Sequence, residues 1–81
     1  MDRKLLEDKL KMWQGKLEDL EKELDAISKR KGEAAAMGDL SENAAYQMAS
    51  EEADIYRTRI VEVQKIIKKL EVDLAKAGKG V

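Results

Sequence analysis

The chain has 81 residues, enough for one small domain, and 43% of them are apolar and 41% charged, with no proline, cysteine or histidine. This composition is typical of long helices or coiled coils, and it argues against disulfides, zinc sites and a free-standing enzyme with a histidine base. Sixteen basic against seventeen acidic residues do not suit a protein that coats DNA. No apolar run approaches the ~20 residues of a membrane span, and the N-terminus lacks a signal-peptide core, so we expect a cytoplasmic protein with no membrane partner.

The first half of the chain carries apolar residues at alternating steps of four and three. This spacing is a heptad repeat, by which one helix packs along another in a coiled coil. It predicts a first helix over about residues 2–36, in which Lys31 and Ala34 continue the same phase. The apolar members of the repeat are Leu6, Leu10, Trp13, Leu17, Leu20, Leu24 and Ile27.

The second half of the chain carries the same repeat in mirror image. Its members are Tyr46, Ala49, Ala53, Tyr56, Ile60, Val63, Ile67, Leu70, Leu74 and Ala77. Residues whose numbers add up to 80, such as Leu10 and Leu70 or Ile27 and Ala53, would meet if the chain folded back at its middle. We therefore predict an all-α fold, an antiparallel intramolecular coiled-coil hairpin with a second helix over about 42–77, as a single domain of residues 1–81.

The tip of this hairpin is expected at residues 37–41. Gly38 suits a left-handed position after the first helix, Asp39 suits the N-cap of the second, and Glu42 fits a capping box. Capping alone would explain these three residues. However, two carboxylates at a protruding end also suit Mg²⁺, which often takes only one or two protein carboxylates. Asp39 and Glu42 are too few for a dedicated metal site, but they could complete a site in a partner.

Residues 38–46, Gly-Asp-Leu-Ser-Glu-Asn-Ala-Ala-Tyr, resemble the tip of Gre-type transcript cleavage factors (GreA and GreB). The usual family form is Gly-Asp-Leu-Ser/Lys-Glu-Asn-Ala-Glu-Tyr, and the resemblance extends over the chain as the N-terminal coiled-coil domain. It implies insertion of the hairpin into the secondary channel of a backtracked bacterial RNA polymerase. There Asp39 and Glu42 would help hold a second Mg²⁺, shared with the polymerase and not bound by the hairpin alone. The polymerase would then cleave the nascent RNA near its 3′ end, and the hairpin would be an accessory factor rather than an enzyme.

The resemblance also implies supporting parts for other residues near the tip. The residues expected to orient the acids or contact RNA are Ser41, Asn43 and Tyr46. Three positions depart from the family form: Ala35 replaces a frequent Arg, Ser50 a basic residue and Ala45 a usual Glu. A basic run slightly farther back either substitutes for the missing cations or is an ordinary solvated face. That run is Lys29, Arg30 and Lys31.

Two alternatives to transcript cleavage stay open at this point. The missing tip cations would also suit a non-catalytic Gre-like protein that occupies the polymerase channel and inhibits it. A two-helix hairpin is a poor structure to stand alone, so it could also be a self-assembly module that pairs into a four-helix bundle. The family's C-terminal FKBP-like domain has no counterpart before Val81. We therefore expect either an isolated domain of a longer protein or a factor that works with the hairpin alone.

Overall fold

The computed structural model describes residues 2–39 and 42–79, with the side chain of Lys79 excepted. This part of the chain forms two α-helices, α1 over Arg3–Ala35 and α2 over Ala44–Lys79, and it contains no strand. The helices form a hairpin of 62 × 15 × 12 Å, called the finger below. Its two ends are called the base, where Arg3 lies beside Gly78, and the tip, where Asn43 contacts Ala34. The all-α antiparallel hairpin expected from the sequence is confirmed.

The heptad positions form the interface between the two helices. Every one of the nineteen residues assigned to the repeat is buried or half-buried. Ile27 and Ala53 are completely buried and form a cluster with Ala49, against which Leu24 and Tyr56 pack. Because Ile27 packs with Ala53, and Leu24 and Tyr56 pack against the same cluster, the contacts in the fold agree with the mirror pairing read from the sequence.

The depth of burial varies along the interface. Small residues near the tip, such as Ala34 and Ala49, are buried, whereas Trp13, Leu17 and Leu20 in the middle of α1 stay half-buried. Leu6, Ile27 and Ile67 are buried as well, but a single neighbouring helix covers each side of the interface. The finger is therefore held by a narrow apolar seam rather than by a thick core.

Capping contacts set where the helices begin. The side chain of Asp2 accepts a hydrogen bond from the Lys4 amide at 3.2 Å, which caps α1. The second helix begins at Ala44, two residues after the expected position, because Asn43 provides its cap. Over the residues described, neither helix contains a stretch long and apolar enough to span a lipid bilayer.

Candidate functional site at the tip of the finger

The first helix ends in a hydrogen-bonded turn that leads into Gly38. The amide of Ala36 donates to the Gly32 carbonyl at 3.2 Å, and the amide of Met37 donates to the Ala34 carbonyl at 3.1 Å. Gly38 then has a φ of +133°, a conformation that residues with a Cβ rarely adopt. A Cβ at this position would meet nothing within 4 Å, so the backbone conformation and not lack of space requires glycine. A positive φ at Gly38 agrees with the sequence-based expectation.

Asn43 joins the two helices at the tip. Its Oδ1 accepts a hydrogen bond from the Tyr46 amide at 3.0 Å, three residues into α2, which is the geometry of an N-cap. Its Nδ2 donates to the Ala34 carbonyl at 2.6 Å, so this carbonyl in the last turn of α1 accepts from Asn43 as well as from the Met37 amide. The prediction that Asp39 caps α2 is therefore wrong. An amide serves both helices because it donates and accepts, whereas an ionised carboxylate only accepts.

The two tip carboxylates lie on either side of the residues that the structure leaves undescribed. Asp39 and Glu42 are both exposed, and Glu42 directly precedes the cap of α2, near the positive end of the helix dipole. Ser41, the third polar residue named from the sequence, lies outside the described residues. The N-cap of α2 therefore uses neither carboxylate, and both are placed at the far end of the finger.

The donor set at the tip suits a shared Mg²⁺ ion. Within residues 2–39 and 42–79, no group of three or more acidic side chains is placed to hold a metal ion. Two exposed carboxylates at a protruding end supply hard oxygen ligands and leave the remaining positions to water, phosphate or another protein. Asp39 and Glu42 therefore fit a site that another molecule completes.

The basic run behind the tip is largely engaged within the finger. Arg30 forms ion pairs with Glu52 at 3.2 Å and Glu23 at 3.9 Å. The ammonium of Lys31 lies 5.3 Å from the centre of the Tyr46 ring, a cation–π contact between two half-buried side chains. Lys29 is exposed and forms no ion pair in the described part of the chain. Of the three cations, Lys29 is thus the one best placed to meet a polyanion.

Two methionines beside the tip were not among the functional residues predicted from the sequence. Met37 and Met48 are 82% and 61% exposed, and they line a groove of about 360 Å³ between the helices. The Arg30–Glu52 ion pair closes the groove on the side of the base. Both methionines lie outside the heptad seam, and a large apolar residue at a position that should face water is the signal that would have identified them. The family departures Ala35 and Ala45 are exposed, and Ser50 is half-buried.

Comparison with known proteins gives one consistent family. The model of the N-terminal domain of transcription elongation factors GreA and GreB matches residues 4–72. The chain is 37% identical over 82 residues to GreA of Mesomycoplasma hyopneumoniae strain J, covering 91% of this chain and 51% of that protein. It is 38% identical over 79 residues to GreA of strain 232, covering 88% of this chain and 49% of that protein. The chain therefore spans about half the length of the curated relatives that it matches. No solved structure matches the chain.

Proposed function

Because the chain belongs to the N-terminal domain family of the transcription elongation factors GreA and GreB, we propose that it is the finger of such a factor. In this proposal the finger enters the secondary channel of bacterial RNA polymerase and stimulates cleavage of backtracked nascent RNA. The observation that carries the proposal is a pair of exposed carboxylates, Asp39 and Glu42, at the end of a finger 62 Å long and only 15 × 12 Å across. In this proposal the polymerase performs the hydrolysis, and the finger supplies two carboxylate ligands for the Mg²⁺ ion.

A hydrogen bond between the two helices at the tip supports this proposal. The bond from Asn43 to the Ala34 carbonyl ties the start of α2 to the end of α1, which limits how far the tip can open. Asp39 and Glu42 would hold Mg²⁺ together with ligands of the polymerase. An ion held there would supply activation of water and stabilisation of negative charge on a phosphate. Tyr46 supports the tip through its contact with Lys31, and Lys29 is the cation available for the RNA backbone.

The proposal is tested by removing both charges while keeping the shape of the side chains. We expect Asp39→Asn with Glu42→Gln to lower cleavage in a backtracked elongation complex by about 100-fold or more, as when a charge-stabilising group is lost from an active site. The free energy of unfolding should fall by no more than about 1 kcal/mol, because both residues are exposed and neither caps α2, and the interaction of Glu42 with the helix dipole is of that size or smaller.

A matched control removes the same two charges elsewhere on the finger. Glu21→Gln with Asp25→Asn changes two exposed carboxylates on the shaft of α1 and leaves the tip intact. This control should cleave like the wild type. The cleavage proposal would be abandoned if the tip variant cleaved RNA as fast as the control.

One observation favours a second candidate, a finger that occupies the channel without promoting cleavage. The cations nearest the tip, Arg30 and Lys31, are already engaged by Glu52, Glu23 and Tyr46, which leaves little positive charge for RNA. A blocker would slow RNA synthesis without cleavage, and the tip variant would slow it equally. A cleavage factor would lose its effect in the tip variant, so the same pair of proteins separates the two candidates.

A further inference from the structure

The methionines of the finger share their exposure but differ in their surroundings. The chain has four methionines, and three of them lie in the described part of it. Met37 and Met48 line the groove between the helices beside the tip, called the tip groove below. Met12 is 59% exposed, close to the 61% of Met48, but it lies on the shaft of α1, roughly 35 Å of helix before Ala35. All three side chains are therefore open to small molecules in solution.

An exposed thioether reacts with peroxides. The sulfur lone pair attacks one oxygen of hydrogen peroxide, and the O–O bond breaks. The hydroxyl now attached to sulfur passes its proton to the departing hydroxide, which leaves as water. The sulfur is oxidised to a sulfoxide by two electrons, and the peroxide is reduced by two. Methionine sulfoxide reductases reverse the change, so it can act as a switch.

The surroundings of Met37 and Met48 make oxidation consequential at the tip. The tip groove has a volume of about 360 Å³, and its apolar wall includes Ala34, Ala45 and Ala49. Ala34 and Ala49 are buried residues of the seam. A sulfoxide is polar and needs hydrogen-bond donors, which alanine side chains do not supply. Oxidation would therefore replace apolar cover with polar, hydrated groups at a point where the seam residues are small.

Arg30 is a hydrogen-bond donor that lines the same groove. Its guanidinium pairs with Glu52 at 3.2 Å, and this ion pair joins α1 to α2. Met48 and Glu52 are four residues apart and therefore lie on the same face of α2. The oxygen of a sulfoxide at Met48 is an acceptor on the side of α2 where Arg30 donates. It would compete with Glu52 for the guanidinium, and a weaker ion pair would loosen the tip.

We propose that Met37 and Met48 form a reversible oxidation site, at which peroxide loosens the tip of the finger. In the reduced state the two thioethers cover the alanines of the tip groove. In the oxidised state the sulfoxides bring water into the groove and compete for Arg30. Met12 is oxidised as readily as Met48, but its oxidation leaves the tip unchanged because it lies far along the shaft. The proposal concerns the finger alone and does not depend on the proposed role in transcription.

Peptide mass spectrometry after treatment of the complete chain with hydrogen peroxide identifies the methionines that react. We expect Met37 to be oxidised first, because it is 82% exposed, and Met48 and Met12 to follow at similar rates. A Met37 that stayed reduced while Met12 was oxidised would contradict the proposed site.

Hydrogen exchange shows whether oxidation loosens the tip. The reporters are the Tyr46 amide, which donates to Asn43 Oδ1, and the Ala36 amide, which donates to the Gly32 carbonyl. Both should exchange about threefold faster or more in the oxidised protein, as expected for a local opening. The amide of Ile67, on the shaft of α2, should exchange at its original rate. Treatment with reductases for both sulfoxide epimers should restore slow exchange at the tip.

A pair of variants separates the tip methionines from the shaft. Met37→Leu with Met48→Leu removes both sulfurs and keeps apolar side chains of similar volume, so the hairpin should be retained, which circular dichroism verifies. After peroxide treatment this variant should exchange at Tyr46 like untreated protein. Its matched control, Met12→Leu, should respond like the wild type.

Three further results would each overturn the proposal. The first is tip exchange in the wild type that oxidation leaves unchanged, a comparison that requires no variant. The second is the same response to peroxide in the variant without tip sulfurs as in the wild type. The third is faster exchange at the tip that persists after the reductases have removed both sulfoxides.

Discussion

At the scale of single residues, Asn43 decides the structure of the tip. Its amide group caps α2 through Oδ1 and adds a second donor to the Ala34 carbonyl of α1 through Nδ2, so one side chain contacts the ends of both helices. The resemblance to Gre factors placed Asn43 among residues that orient the acids or contact RNA. The contacts favour a role in positioning the tip rather than in contacting RNA, because both polar atoms of the Asn43 side chain are already hydrogen-bonded within the finger.

We predict that Asn43→Ala lowers the free energy of unfolding by about 1–2 kcal/mol, since it removes an N-cap and leaves the Ala34 carbonyl without this donor. Asn43→Ser separates the two contributions, because a serine hydroxyl caps a helix well but is too short to replace the amide donor. The serine variant should recover most of the capping part. Urea unfolding measures the stability, and hydrogen exchange at the Tyr46 amide reports the cap. Wild-type exchange at Tyr46 in the alanine variant would contradict this assignment.

At the scale of the helices, glycine has opposite effects at different positions. Gly15 and Gly32 lie inside α1, where nothing stands within 4 Å of an added Cβ and where glycine weakens the helix relative to alanine. Gly38 lies between the helices and has a φ of +133°. The space around all three is open, so backbone conformation alone distinguishes them.

We predict that Gly15→Ala and Gly32→Ala each raise the free energy of unfolding by up to about 1 kcal/mol. Gly38→Ala should lower it by about 1–3 kcal/mol, because alanine would be strained at this φ. Thermal unfolding followed by circular dichroism compares the three variants under one condition. If Gly38→Ala were as stable as the two helical variants, the tip would not depend on this backbone conformation.

At the scale of the whole molecule, the mirror symmetry of the seam allows the length of the finger to be changed without changing which residues of the two helices pair. Removing one heptad from each arm at the same level deletes two matched layers and keeps the remaining pairs in register. Removing a heptad from one arm only shifts every pair beyond it. A change in the length of the finger therefore need not change its fold.

We predict that deletion of residues 14–20 together with 60–66 leaves a folded hairpin that is shorter by about 10 Å, from 1.5 Å per helical residue. Small-angle scattering measures the length, and circular dichroism measures the helix content. If the proposed function holds, cleavage should fall to the level of the tip-acid variant, because the carboxylates no longer reach the same point. Deletion of 14–20 alone is the control for register, and it should destabilise the fold. Full cleavage activity in a shortened finger would show that cleavage does not depend on the length of the finger.

Much of this fold was predictable from the sequence because the information is periodic and local. The alternating spacing of four and three residues identifies the residues that face the other helix. Residue numbers that add up to 80 identify which residues pair across the hairpin. Burial at every seam position, with Ile27 against Ala53, follows from those two regularities. The family resemblance in residues 38–46 was likewise detectable from the sequence, and the match of the family model to residues 4–72 confirms it.

Only the tertiary structure decided how the tip is capped and which cations are available. Asp39 and Asn43 are both good N-cap residues, and the choice between them depends on where the last carbonyls of α1 lie in space. Asn43 is selected because its amide reaches the Ala34 carbonyl while it caps α2. In the same way, Arg30 and Lys31 read as a basic run along the chain, yet each is engaged by a side chain of α2 that lies opposite it. A contact across the hairpin depends on two helices at once, whereas the heptad pattern of each helix is set by its own sequence.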